Sequence, residues 1–63
     1  MPPLTVLVAD DEPPARRKLL RFLSEAPGVA ICAESGTVAA TITAIREHRP
    51  DLVFLDVQMP DGE

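Results

Sequence analysis

Leu4-Thr5-Val6-Leu7-Val8-Ala9 runs without a charge straight into Asp10-Asp11-Glu12, and Pro13-Pro14 follows. An almost continuous apolar run rich in β-branched residues reads as a strand covered on both faces, as in a parallel sheet. Proline is tolerated in the first helical turn, where its missing N–H would have no partner anyway, so a helix is expected from near Pro14. The same signature recurs once. Leu52-Val53-Phe54-Leu55 is a second uncharged run, and it too ends in an aspartate, Asp56.

Working outward, Ala15, Leu19, Phe22, Leu23 and Ala26 repeat at the spacing of one apolar helical face, with Arg17 and Arg21 on the other side. Pro27-Gly28 ends that helix. Val29 to Glu34 reads as a second strand, and Ser35-Gly36-Thr37 carries turn and capping chemistry. A second helix is expected from about Val38 to Arg49, with Val38, Ile42 and Ile45 as its apolar stripe and Pro50 as its stop. Leu52 to Leu55 is then the third strand. The order β-α-β-α-β with short connections predicts an α/β fold with parallel strands, right-handed crossovers and helices on the sheet faces.

The chain has 63 residues, 10 acidic against 6 basic, for a net charge of −4. That balance argues against nucleic-acid contact by this segment, and the length allows at most one domain. The single Cys32 can form no intrachain disulfide and is expected as a small buried thiol in its strand. No apolar run approaches the ~20 residues of a membrane span, and Met1-Pro2-Pro3 sets no basic segment ahead of an apolar stretch, so no membrane association and a cytoplasmic location are expected.

In an open parallel sheet, ligands bind beyond the carboxyl ends of the strands. Asp10 and Asp11 leave the first strand at that edge, and Asp56 leaves the third. If the first and third strands are neighbours, the three carboxylates converge and repel one another unless a cation lies among them, and an all-oxygen set suits Mg²⁺ or Mn²⁺. Aspartate can attack a phosphoryl group, and Asp56, which emerges singly from an apolar strand, is the better nucleophile candidate, while Asp10 and Asp11 stand together as metal holders.

Two stretches carry a family resemblance. Val6-Leu7-Val8-Ala9-Asp10-Asp11-Glu12-Pro13 and Pro50-Asp51-Leu52-Val53-Phe54-Leu55-Asp56-Val57-Gln58-Met59-Pro60 resemble the two signature regions of the receiver domain of bacterial two-component response regulators. The separation of Asp11 from Asp56 resembles the family's as well. The resemblance implies the flavodoxin-like (βα)5 fold, strand order 2-1-3-4-5, a fold-level comparison that the general rule for such sheets itself uses. It implies that Asp56 is the phosphoacceptor, that Asp11, Asp56 and the Gln58 backbone carbonyl bind Mg²⁺ directly, and that Asp10 acts through water. It also implies a sensor histidine kinase as the phosphoryl source. Pro13 and Ala15-Arg16 after the acidic cluster resemble regulators with a LytTR-type output, which leaves any DNA binding to a domain beyond this segment.

Receivers run to about twice this length with five strands, whereas the elements here stop at the third, so residues 1–63 are expected to be the N-terminal portion of one, cut after its third strand. The Ser or Thr and the Lys that the family uses to sense phosphate have no counterpart. An apolar third strand with nothing on its outer edge is expected to leave the isolated segment partly unfolded or self-associated. A hydrolase of the haloacid-dehalogenase type would need a second aspartate where Gln58 stands, and a calcium loop would need its glycine one position before Gly62. An interaction module without phosphorylation is the remaining alternative. Arg16, Arg17, Lys18 and Arg21 are expected as a solvated helix face, His48 as a complement to the dipole of its helix. Leu20 is expected either at the edge of the core stripe or at a partner contact.

Overall fold

The computed structural model describes residues 2–56. Its elements are β1 (Leu4–Ala9), α1 (Pro13–Ser24), β2 (Val29–Ser35), α2 (Val38–His48) and β3 (Leu52–Leu55). The three strands are parallel in the order β2-β1-β3. This is the α/β architecture and strand order expected from the sequence. The central position of β1 explains its composition: Val6, Leu7, Val8 and Ala9 are all at most 1% exposed, flanked by strands on both edges and covered on both faces.

A one-residue bulge decides how β2 serves two faces. Val6 stands opposite Ile31 but Leu7 stands opposite Ala33, so Cys32 is the inserted residue, and its thiol donates to the Val6 carbonyl at 3.4 Å. Side chains alternate between faces along a strand, and the insertion flips that alternation. Before the bulge, half-buried Val29 and Ile31 pack with Leu19 and Leu20 against the core of Val6, Val8 and α1 residue Leu23. Ser35, opposite Ala9, falls on the other face. There the Ser35 and Thr41 hydroxyls share a buried hydrogen bond of 2.6 Å, which places α2 on the face opposite α1. Cys32 is half-buried at the bulge.

Both helix faces differ from the periodicity reading. In α1 the stripe on the sheet is Leu19, Leu20 and Leu23, while Ala15 is exposed and Phe22 is 72% exposed. The face is rotated by one position because Arg16, four residues before Leu20, lies on the inward side. Leu20 is thus half-buried and packed against the core. In α2 the buried position is Thr41, not Ile42 or Ile45, both of which are exposed. A hydroxyl can be buried there because Thr41 Oγ1 also donates to the Thr37 carbonyl at 2.7 Å. Thr37 caps the helix by accepting from the Ala40 N–H at 3.0 Å. Arg49 adopts the left-handed conformation (φ 47°) that closes α2 one residue earlier than expected, since the residue before Pro50 is disfavoured in a right-handed helix.

Candidate metal centre

The sheet ladder carries the acidic residues into place. Beyond the strand ends, the Asp10 N–H donates to the Ser35 carbonyl at 3.0 Å and the Asp56 N–H donates to the Ala9 carbonyl at 2.9 Å. One backbone bond on each side of β1 thus continues the pairing by a residue, and it aligns the exits of β1 and β3. Asp10, Asp11 and Asp56 each offer a carboxylate oxygen within 4.8 Å of the others, and all three are half-buried. Asp10 and Asp56 also line an open cleft with Glu12, Leu19, Phe54 and Leu55.

The Asp10 carboxylate has a second duty. Its Oδ1 accepts from the Glu12 N–H at 2.9 Å, making the turn that launches α1. Glu12 itself gives no side-chain cap, and Pro13-Pro14 removes two of the donors that would need one. Asp11 is the perturbed member of the cluster. Its pKa is raised, first by loss of solvation, then by a hydrogen bond to Asp56 and by the Asp56 charge, with Asp10 adding a smaller repulsion. Three carboxylates this close repel one another unless positive charge lies among them. The donor set is oxygen only, the kind that hard divalent cations prefer, so the residues present fit Mg²⁺ or Mn²⁺.

Of the residues expected at the site, Asp10, Asp11 and Asp56 are brought together. Gln58 lies outside the described residues. His48 is exposed in the last turn of α2, away from the carboxylates. Arg16 was expected on a solvated face and is instead turned inward: its Nη1 donates to the Asp10 carbonyl at 2.8 Å, while its Nε lies 3.2 Å from Glu34 Oε1, an ion pair that falls short of hydrogen-bond alignment. Arg17, Lys18 and Arg21 are exposed as expected. The inward turn of Arg16 was legible only from its register with Leu20 and Leu23, a signal that a charge-run reading passes over.

Residues 6–63 match the family model described as the response regulator receiver domain. An uncharacterized response regulatory protein of Yersinia pestis is 47% identical over 57 residues, covering 90% of this chain and 24% of that protein. The sensory transduction protein LytT of Enterococcus faecalis is 41% identical over 56 residues, covering 89% of the chain and 23% of LytT. Among solved structures, the signal receiver domain of the response regulator NarL from Mycobacterium tuberculosis superposes with a TM-score of 0.91 at 35% identity, covering 95% of this chain and 48% of that one. The chain therefore spans about a quarter of these curated relatives and about half of that receiver structure. No described helix is long and apolar enough to cross a membrane.

Proposed function

The chain belongs to the receiver-domain family of two-component response regulators, and from that premise we propose that Asp56 is its phosphoacceptor. The observation that carries this reading is the meeting of Asp56 with Asp10 and Asp11 at the carboxyl edge of the sheet. Asp11 and Asp56, with the Gln58 carbonyl, would hold Mg²⁺ directly, and Asp10 would hold it through water. The ion, when bound, neutralises charge on the phosphoryl oxygens that would otherwise repel the carboxylate.

What the chain's own residues do follows from the geometry. The Asp56 N–H bond to Ala9 fixes the acceptor against the end of β1, so its carboxylate opens into the cleft beside Leu55 and Phe54. A carboxylate oxygen of Asp56 attacks the phosphorus of a phosphohistidine, forming an O–P bond. The P–N bond breaks, and its electron pair returns to the imidazole nitrogen, which takes a proton from water. The product is an aspartyl phosphate. The phosphoryl source is a sensor histidine kinase, the site of action is the cytoplasm, and the domain is an acceptor rather than a dedicated enzyme.

The coverage of relatives supports reading residues 1–63 as the N-terminal portion of a receiver, with any DNA-binding output left to a domain beyond this segment. Phe54, Leu55 and Leu52 of β3 are exposed, and among the described residues β3 pairs only with β1. The isolated 63-residue chain is expected to self-associate through that edge. Sedimentation would show this directly, and a clean monomer with a cooperative thermal transition would overturn the portion reading.

The decisive experiment exposes the longest natural polypeptide carrying these residues to a small phosphodonor with Mg²⁺, with Asp56→Asn in parallel. Mass spectrometry should find one base-labile acyl phosphate on the wild type and none on the variant. An undiminished phosphate on Asp56→Asn removes Asp56 from the role.

A further inference from the structure

Arg16 is a largely buried cation that the proposed chemistry does not use, its side chain 21% exposed. Its Nη1 donates to the Asp10 carbonyl at 2.8 Å and reaches the Ser35 carbonyl at 3.5 Å, while Nε pairs with Glu34. One side chain of α1 thereby ties the turn after β1 to the end of β2. The Asp10 residue is held at three points: its N–H by Ser35, its carbonyl by Arg16, its carboxylate by the Glu12 N–H. The guanidinium can lie there because position 36 has no side chain. A Cβ at Gly36 would stand 2.9 Å from Arg16 Nη1 and 3.7 Å from the Asp10 carbonyl oxygen.

We infer that Arg16 is a positioning residue for the metal centre: through the Asp10 carbonyl it sets the direction in which the Asp10-Asp11 turn presents its carboxylates, and Gly36 is the space that lets it do so. This rests on the metal-site reading of Asp10, Asp11 and Asp56. Two adjacent like-charged side chains tend to splay the turn that bears them, and a turn fixed beforehand loses less freedom when a cation arrives. Arginine suits the task because its planar fork serves two carbonyls and a carboxylate at once, which the single ammonium of lysine cannot.

The test titrates Mg²⁺ by calorimetry into the longest natural polypeptide carrying these residues, comparing wild type with Asp11→Asn, Arg16→Ala, Arg16→Lys and Gly36→Ala, each with a thermal melt. Asp11→Asn should abolish binding. Arg16→Ala should weaken it about tenfold, the usual cost of losing a group that orients metal ligands, and Arg16→Lys should restore part of that loss. Gly36→Ala should weaken it a few-fold, because its φ lies outside the left-handed region and the new methyl crowds the far end of Arg16 while making only ordinary contact with the Asp10 carbonyl. In the metal-free protein, amide exchange at Asp10 and Glu12 should quicken in both Arg16→Ala and Gly36→Ala. If Asp11→Asn loses Mg²⁺ while Arg16→Ala and Gly36→Ala bind it as wild type does, or if the two amides stay fully protected, the positioning role is overturned and the metal site stands. If Asp11→Asn binds Mg²⁺ normally, the metal reading itself fails. Should Arg16→Ala not fold, Gly36→Ala alone decides.

Discussion

Two ends of the same pair of strands each carry an aspartate problem, and they solve it in opposite ways. At the amino edge, Asp51 precedes β3. Its Oδ2 accepts from both the N–H and the hydroxyl of Thr5, at 2.9 Å each, while its own N–H donates to the Thr5 hydroxyl and carbonyl at 3.0 and 2.9 Å. Those donors hold its pKa below the ordinary carboxylate value. At the carboxyl edge, Asp11 is pushed above that value by lost solvation and by Asp56. One aspartate is finished by the protein's own donors; the other stands among acceptors. An acid that the fold satisfies joins strands, and an acid that the fold leaves crowded with its like is equipped for a cation.

The contrast breaks most completely when β1 is damaged, because β1 bears both ends. Leu7 is wholly buried, and Leu7→Ala should cost about 2–5 kcal/mol, a large part of what so small a core supplies. Denaturant unfolding should show Mg²⁺ binding and the Thr5–Asp51 link lost together. Survival of either one alone would mean the two ends are not coupled through β1.

Exchanging the two acids in turn sharpens the comparison. Asp11→Asn should remove Mg²⁺ affinity and leave the melting temperature of the metal-free protein level or higher, since a repelling charge has gone. Asp51→Asn should do the reverse, lowering the melting temperature by a few degrees with Mg²⁺ affinity intact. Calorimetry and thermal melts on the two variants read both quantities.

Acid separates the ends without mutation. Asp51, with its pKa lowered in the fold, contributes stability that is present above the unfolded value near 3.8 and is lost as pH falls through the folded value. Asp11, with its pKa raised, keeps its proton to a pH above 3.8. Its protonation favours the metal-free fold at low pH, a contribution lost as pH rises through the folded value, and it opposes a cation. Mg²⁺ affinity should therefore decline at a higher pH than the Asp51-linked stability does. Titrations and melts across a pH series should show that order, and the opposite order would contradict both assignments.

The smallest effect is the most local. Thr5→Val deletes the hydroxyl that both donates to Asp51 and accepts from it. The Asp51 pKa should rise part of the way back toward 3.8, the Thr5 N–H remaining, while Asp11 is unchanged. Carboxyl-carbon NMR titration resolves the two.

What the sequence determined by itself was whatever depends on local runs and their order. Uncharged Leu4–Ala9 and Leu52–Leu55, with prolines and a capping threonine between them, dictate strands, helices and the parallel order, and the aspartates that end two such runs must then leave at one edge. The tertiary structure alone decided which side chains meet across elements. Periodicity placed Phe22 and Ile42 inward, but Arg16 is turned toward the Asp10 carbonyl and Thr41 bonds Ser35, and Leu20 and Thr41 are packed inward in their place. Nothing in a linear pattern shows that Gly36 makes room for a guanidinium, that Ser35 pairs with Thr41, or that Thr5 and Asp51, 46 residues apart, satisfy each other. Burial and hydrogen bonding between distant residues depend on register, and a one-residue shift in register exchanges the inside of an element for its outside.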